Sequence, residues 1–302
     1  MGGGQEVWSG ACRQEAGWLG VPQEGEGLIQ RGRRRLDSEL VRRGLAPSRQ
    51  RAQEAVESGR VLVAGSVAEK ASRQVSPAEP LEVLGDPCPF VSRGGVKLDA
   101  ALTRFGVTVQ GRRCLDAGAS TGGFTDCLLQ RGAQEVVAVD VGHGQLDQRL
   151  RADRRVLALE RTHLALLRLD DVGGHPFGLV VADLSFISLR RVAGVLLGEL
   201  ASRGADAVVL VKPQFEVGRR EASRGRGVVS DPDLWRASLV AVASAFCAAG
   251  AAMMGAMASP LLGAAGNAEF FVHARAHAPE HRYLPEEEVD RAIQEASVLA
   301  GS

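Results

Sequence analysis

The chain has few of the features of an exported or disulfide-bonded protein. Its five cysteines are scattered, none forms a Cys-x-x-Cys pair, and their number is odd. We therefore expect neither a metal site nor a disulfide framework, and a reducing cytoplasm is the natural compartment. The first 30 residues lack a basic start followed by an apolar run, so no secretory signal is expected. The formal net charge is zero, so total charge does not indicate a nucleic-acid partner.

Long apolar runs are also scarce, with one exception. Residues 237–258 carry no charge over 22 residues, which is long enough to span a bilayer. The stretch is mostly Ala and Gly, however, and Gly250 interrupts it. This pattern favours a buried helix followed by a strand, so we expect no membrane association. A membrane-active protein remains the alternative.

Positive charge is concentrated near the N-terminus. Residues 31–51 carry eight arginines against Asp37 and Glu39, a net charge of +6 over 21 residues. Apolar periodicity predicts two short helices here, followed by short strands. We interpret the segment as a small α+β module whose arginines bind RNA phosphates, with solvated helix faces as the alternative. Residues 1–32, rich in Gly, Gln and Glu, are interpreted as a disordered leader.

The sequence of this basic segment resembles a known RNA-binding domain. The motif R-L-D-x-x-L-V-x-R-G-L-A-x-S-R, followed by G-x-V-x-V, is similar to the domain first known from ribosomal small-subunit protein S-four. We place this domain at residues 33–86, followed by a linker at 87–95. The chain differs at Ala64, where an Asn is common and shapes a turn. The RNA-binding residues are then expected to be Arg35, Arg42, Arg43, Ser48, Arg49, Arg51 and, in the linker, Arg93.

From Arg113 onward, predicted strands and helices alternate. This alternation predicts an α/β fold with a doubly wound, Rossmann-like parallel sheet over residues 96–278, and a tail at 279–302. A glycine-rich turn at 118–123 follows the first strand, and Asp140 ends the second. Such a turn lets a cofactor approach the backbone, and such an acid can hold two ribose hydroxyls. A dinucleotide enzyme is the alternative, although the glycine spacing is not G-x-G-x-x-G.

The turn itself is more specific than its glycines. The string D-x-G-x-S-T-G-G-F-T looks like the S-adenosylmethionine motif of methyltransferases, so the resemblance implies S-adenosylmethionine as the cofactor. The cofactor-binding residues are then expected to be Asp116, Gly118, Ser120, Thr121, Gly122, Gly123, Asp140 and Asp183.

Four charged residues fall where strands are predicted to end or begin. Lys212 ends the fifth strand and Asp183 the fourth, Glu269 opens the last strand, and Lys97 lies on a helix before the first. They match the Lys-Asp-Lys-Glu tetrad of FtsJ-type ribose 2′-O-methyltransferases. The match implies that Lys212 acts as base or hydroxyl activator and that Asp183 orients it and borders the cofactor. Lys97 and Glu269 would set the charge and position the ribose.

Residues from about 33 to 275 resemble the TlyA family, hemolysin-A-like proteins that act as ribosomal RNA 2′-O-methyltransferases. The resemblance implies methyl transfer to a cytidine ribose, with ribosomal RNA or ribosomal subunits as partners. We also expect a cytoplasmic protein without a metal site, and we favour a monomer over an oligomer. A membrane-active hemolysin, a non-catalytic RNA-binding protein and a pseudouridine synthase are the alternatives. The strings that carry the resemblance lie at 90–98, 140–146, 212–218 and 266–270.

Overall fold

The chain divides into two units, Met1–Asp86 and Pro87–Ser302. The computed structural model describes residues 32–57, 59–85, 89–218, 227–263, 266–278 and 283–301. All but the last residue of the expected leader at 1–32 lies outside these ranges.

The first unit forms the expected α+β module from two helices and two small antiparallel sheets. Its core takes Leu36 and Leu40 from the first helix and Ala52, Ala55 and Val56 from the second. Strand β1 pairs with β4, and β2 lies between β3 and β5. The elements are β1 (Arg34–Arg35), α1 (Leu36–Arg42), α2 (Arg49–Glu57), β2 (Val61–Val63), β3 (Ser66–Val67), β4 (Gln74–Val75) and β5 (Leu81–Val83).

The turn between β2 and β3 explains why an Asn is common at the position where this chain has Ala64. Ala64 has a φ of 51° and Gly65 a φ of 81°, so both lie in the left-handed region. An Asn tolerates this conformation better than an Ala, for which it costs on the order of 1 kcal/mol. The hairpin still forms, with Leu62 paired to Val67, so the substitution adds a local cost without changing the fold.

The second unit is built on a seven-stranded sheet with the strand order β11-β12-β10-β9-β6-β7-β8. Strands β6 to β10 run parallel to one another, whereas β12 runs antiparallel to both of its neighbours, β10 and β11. The predicted doubly wound sheet with an antiparallel last strand is therefore confirmed. The strands are β6 (Arg113–Ala117), β7 (Glu135–Val139), β8 (Val156–Leu159), β9 (Phe177–Ala182), β10 (Ala201–Val211), β11 (Ala252–Ala258) and β12 (Phe270–Arg275).

Helices cover both faces of this sheet because alternate strand residues point to opposite sides. Along β10, Val209 and Val211 belong to one apolar core, while Val208 and Leu210 belong to the other. The helices are α3 (Arg93–Phe105), α4 (Gly123–Gln130), α5 (Gln148–Arg151), α6 (Pro213–Glu216), α7 (Pro232–Ala248) and α8 (Glu286–Ala300). Side chains of α3 and α4 fill the second core, and those of α7 and α8 fill the first.

The structure differs from the sequence-based boundaries at two places. Helix α3 begins at Arg93, so the last three residues of the expected linker 87–95 are helical. The expected tail at 279–302 contains α8, whose Val289, Ala292, Ile293 and Ala296 are buried in the core of the sheet. The sequence pattern did not reveal this helix because two of the four buried residues are alanines, which makes the apolar stripe weakly hydrophobic.

The connection before β10 also differs from the prediction. A helix over residues 189–202 is expected from the sequence, but the chain forms a 3₁₀ turn at Leu189–Arg191 and a π-helix at Gly194–Leu200. Strand β10 already begins at Ala201. Gly194 and Gly198 weaken an α-helix here, while buried leucines on the same segment keep it against the sheet.

The uncharged stretch at 237–258 is the expected buried helix followed by a strand. It comprises most of α7, the glycine turn at Gly250 and all of β11. Over the ranges that the structure describes, no helix is long and apolar enough to cross a bilayer.

Candidate active site

Two neighbouring strands bring Lys212 and Glu269 to the same edge of the sheet. Val211, the last residue of β10, pairs with Phe270, the first residue of β12. Lys212 and Glu269 each lie one residue beyond this pair. The antiparallel direction of β12 therefore places its start beside the end of β10, as the sequence predicts.

Glu269 forms a buried ion pair with Lys97. Lys97 Nζ donates to Glu269 Oε2 at 2.6 Å, and the two residues are only 8% and 4% exposed. Helix α3 positions the lysine because Leu98 and Leu102 anchor it in the core that also contains Phe271. Gly263 leaves room for the carboxylate, since a Cβ at that position would lie 2.1 Å from Glu269 Oε1.

Lys212 forms a second ion pair, with Asp183. Asp183 directly follows β9, and its Oδ1 lies 2.5 Å from Lys212 Nζ. The same Nζ donates to Ser185 Oγ at 3.2 Å. The four predicted catalytic residues are thus brought to one edge of the sheet as two ion pairs.

A cavity of about 510 Å³ opens beside the second ion pair. Of the eight predicted cofactor-binding residues, Gly118, Ser120, Asp140 and Asp183 line it. Val141, His163 and Leu164 supply part of its largely apolar wall. The structure therefore brings half of the predicted set directly to the cavity.

The glycine turn approaches the end of β9 so closely that Gly118 tolerates no side chain. Its φ is 85°, and a Cβ there would lie 2.4 Å from the carbonyl oxygen of Asp183. Asp140 holds the turn from the other side, because its Oδ2 accepts from Ser120 N at 2.8 Å. Its Oδ1 accepts from Gly142 N at 2.6 Å.

The other predicted cofactor residues lie behind the cavity lining. Gly122 is the N-cap of α4, with a φ of 95°, and Gly123 packs against Ser92 and Gly95. The backbone carbonyl of Thr121 accepts from Asp147 N at 3.2 Å. These residues shape the turn and fix α4 rather than face the cavity.

Asp116 is fully buried behind the turn. Its Oδ2 accepts from Thr125 Oγ1 at 2.6 Å, while its Oδ1 has no hydrogen-bond partner among the described residues. Burial, reinforced by the charge of Asp183, raises the pKa of Asp116 to about 7, although Thr125 lowers it.

Sequence reasoning missed the loop that follows Asp183. Leu184, Ser185, Phe186 and Ile187 line the cavity, and Phe186 is 92% exposed with a φ of 66°. Its ring lies 5.2 Å from that of Phe215. An aromatic residue three positions after a predicted site acid is a usable signal, but its exposure depends on the backbone conformation.

In the first unit, buried carboxylates hold most of the predicted RNA-binding arginines. Asp37 and Glu39 are completely buried. Asp37 Oδ2 accepts from Arg35 at 2.8 Å and from Arg49 at 3.3 Å. Hydrogen bonds from Arg35, opposed by burial, hold the pKa of Asp37 well below its usual range. Arg35 and Arg49 are thereby fixed while remaining partly exposed.

Glu39 holds a second pair of arginines. Arg42 and Arg43 donate to it at 2.6 and 2.8 Å, and the hydrogen bonds from Arg42 are the main reason that the pKa of Glu39 falls to about 2. Arg43 also donates to the carbonyl of Glu79 at 2.8 Å. Arg43 therefore links Glu39 of α1 to the backbone at Glu79, whereas Arg42 remains largely at the surface.

The remaining predicted RNA contacts also have partners within their own units. Arg51 lies 3.3 Å from Glu54, and its backbone N–H donates to Ser48 Oγ at 3.2 Å. Arg93 donates to the carbonyl of Leu262 at 2.8 Å. Local structure therefore accounts for at least part of what these three residues do.

Comparisons with known proteins agree with this division of the chain. A family model described as FtsJ-like methyltransferase matches residues 90–276, and a model of the S4 domain matches residues 34–80. A Mycobacterium tuberculosis protein named 16S/23S rRNA (cytidine-2′-O)-methyltransferase TlyA is 51% identical over 266 residues, covering 87% of this chain and 98% of that protein.

Proteins designated as hemolysins are similar as well. Hemolysin A from Brachyspira hyodysenteriae is 37% identical over 239 residues, covering 79% of this chain and 98% of that protein. A solved structure of a hemolysin-designated protein from Streptococcus thermophilus has 32% identity and a TM-score of 0.72, covering 89% of this chain and 97% of the other.

Proposed function

The chain belongs to the FtsJ-like methyltransferase family, in its TlyA branch, and on that premise we propose that it methylates the ribose 2′-hydroxyl of cytidine in ribosomal RNA. The observation that carries the proposal is the pair of ion pairs, Lys212–Asp183 and Lys97–Glu269, at the cavity edge of the sheet. The Mycobacterium tuberculosis relative, which is named as a 16S/23S rRNA (cytidine-2′-O)-methyltransferase, supports the choice of nucleoside and of RNA.

The cavity fits S-adenosylmethionine, the methyl donor of this family. Its volume of about 510 Å³ lies within the range of small-molecule sites. Asp140 uses one lone pair on each oxygen for backbone N–H groups and keeps acceptor capacity for ribose hydroxyls. Asp116 offers a buried oxygen without a partner among the described residues. When bound, the cofactor supplies an electrophilic methyl group on a cationic sulfur.

Lys212 is the residue that we assign to the 2′-hydroxyl. Its Nζ is held at 2.5 Å by Asp183 and at 3.2 Å by Ser185, which fixes the amine beside the cavity. An amine held at this position can accept the hydroxyl proton or hydrogen-bond to the hydroxyl oxygen as the methyl group is transferred. Asp183 therefore orients Lys212 and also forms part of the cavity wall.

Lys97 and Glu269 are assigned to positioning the ribose. Their ion pair is almost fully buried, and each side chain is held by a different element, α3 and the start of β12. A pre-formed charged pair at the reacting edge costs no reorganisation when substrate binds. We therefore assign it an electrostatic and positioning role rather than proton transfer.

We assign RNA binding to the S4 domain. Asp37 fixes the guanidinium groups of Arg35 and Arg49 at one surface, and a pre-aligned guanidinium loses less entropy when it meets a phosphate. Arg42, held by Glu39, adds a third cation. Ribosomal RNA as substrate would place the protein in the cytoplasm, and we propose that it acts as a monomer.

The alternatives are less well supported. A membrane-active hemolysin rests on the stretch at 237–258, which forms a buried helix and strand. A non-catalytic RNA-binding protein would have no need for two intact ion pairs at this edge of the sheet. A pseudouridine synthase would share the S4 domain but not the FtsJ-like domain at 90–276.

The test is transfer of a radiolabelled methyl group from S-adenosylmethionine to RNA in separated ribosomal subunits, with mapping of the labelled nucleoside. We expect 2′-O-methylcytidine from the wild type and a loss of at least about 100-fold for Lys212→Ala, with cofactor affinity retained. Arg168→Ala is the matched control, because Arg168 forms an exposed ion pair with Glu199. Normal labelling by Lys212→Ala, or label on a base, would contradict the assignment.

A further inference from the structure

We infer that Glu160 is a positioning residue for the cofactor cavity, because its carboxylate fastens the middle of the loop that forms one cavity wall. This loop, residues 141–147, is called the wall loop here. The inference rests on the proposed function, since it concerns the affinity for S-adenosylmethionine. Glu160 directly follows β8 and does not itself line the cavity.

The wall loop faces the cavity on one side and Glu160 on the other. Val141, Gly142 and Gln145 line the cavity. Between them, Gly144 N donates to Glu160 Oε1 at 2.8 Å, and His143 Nδ1 lies 2.8 Å from Glu160 Oε2. The two residues that Glu160 holds are therefore flanked on both sides by residues that touch the cavity.

Arg151 holds the carboxylate of Glu160 in place. Its guanidinium contacts both carboxylate oxygens of Glu160, with Nη1 at 3.3 Å from Oε2. This contact is the main reason that the pKa of Glu160 is lowered to about 2, with further contributions from Gly144 and His143. The carboxylate is thus ionised at physiological pH, and its hydrogen bonds to the loop are charge-assisted.

Backbone contacts hold the ends of the wall loop independently of Glu160. Gly142 O accepts from Arg161 N at 3.0 Å, and Asp147 N donates to Thr121 O at 3.2 Å. Removing the charge of Glu160 should therefore shift the middle of the loop without unfolding it. Gln145, whose Oε1 accepts from Ser120 Oγ at 3.3 Å, lines the cavity and directly follows Gly144, so it would move with the middle of the loop.

The test is the affinity of Glu160→Gln for S-adenosylmethionine, measured by titration calorimetry, together with steady-state methyl transfer. We expect Kd and KM for S-adenosylmethionine to rise roughly tenfold, with kcat at saturating cofactor within about twofold of wild type. Glu199→Gln, which removes an exposed carboxylate on another element, should change none of these values.

Two outcomes overturn the inference: an unchanged Kd, or a reduced kcat with an unchanged KM. His143→Ala removes one arm of the same contact at an exposed residue, so it provides the test if Glu160→Gln does not fold. We expect a smaller rise in Kd, about two- to fivefold, and no rise would be equally decisive. A wild-type protein that does not bind S-adenosylmethionine would instead refute the proposed function.

Discussion

The buried pair Lys97–Glu269 allows stability and catalysis to be separated by mutation. Lys97→Met would leave the Glu269 carboxylate 4% exposed and without the ammonium that lies 2.6 Å away. Breaking a buried pair by removing one partner costs about 3–5 kcal/mol, because the remaining charge has lost its water and its partner. For a unit of this size, 1 kcal/mol corresponds to about 2–4 °C in Tm, so we expect Tm to fall by roughly 10 °C.

The double variant Lys97→Met/Glu269→Gln should be more stable than either single variant. It buries two neutral side chains of similar size, and so avoids the unpaired charge. Urea unfolding of the four proteins gives the coupling energy, which we expect to exceed about 1 kcal/mol. Methyl transfer should nevertheless be lost in the double variant, because it lacks the two charges to which we assign the positioning of the ribose.

An ion pair that involves another residue of α3 provides a matched control. Arg131 forms an ion pair of 2.7 Å with Asp99 of α3, but both side chains are partly exposed. Arg131→Met should therefore cost about 1 kcal/mol or less. Additive effects of Lys97→Met and Glu269→Gln within about 0.5 kcal/mol would refute the coupling. Methyl transfer by the double variant would refute the role of the pair in positioning.

Two further predictions concern the glycine turn and the opposite edge of the sheet. Gly118→Ala should abolish measurable S-adenosylmethionine binding in calorimetry, because the added Cβ would lie 2.4 Å from the Asp183 carbonyl oxygen. A variant that binds S-adenosylmethionine with wild-type affinity would contradict this steric argument. Burial would raise the pKa of Asp206, but hydrogen bonds from His273 and a neighbouring guanidinium hold this pKa well below its usual value. The ionised carboxylate therefore stabilises the fold above about pH 4, and this stabilisation is lost as the pH falls further. Asp206→Asn should therefore lower the free energy of unfolding at pH 7 by roughly 3 kcal/mol and by much less near pH 2, and a difference independent of pH would contradict the reasoning.

The edge position of the site could be predicted from the sequence because it follows from strand geometry. Asp183 and Lys212 end buried runs of β-branched and aliphatic residues, and parallel strands end at one edge. Glu269 could be placed only by assuming an antiparallel last strand, an assumption that the pairing of Val211 with Phe270 confirms. Gly118 could be identified because a close backbone approach leaves a glycine in the sequence.

Side-chain partners were not predictable in the same way. Asp37 and Glu39 count against the positive charge of the basic segment, yet both are buried and organise its arginines. Arg43 has the sequence context of a surface cation and instead braces the unit through the Glu79 carbonyl. Such partners depend on which side chains meet after folding, and a charge pattern along the chain does not contain that information.

The charged cluster around Asp206 and the ion pair of Lys212 with Asp183 lie at opposite edges of the sheet. Asp206 precedes Lys212 by six residues on β10, which at about 3.3 Å per residue separates them by roughly 20 Å. This distance exceeds the screening length of about 8 Å at physiological ionic strength. Asp206→Asn should therefore destabilise the unit while leaving kcat of the folded fraction unchanged, whereas Lys97→Met should impair both. A fall in kcat for Asp206→Asn under folding conditions would show that the two edges are coupled through the packing of β10 and β12.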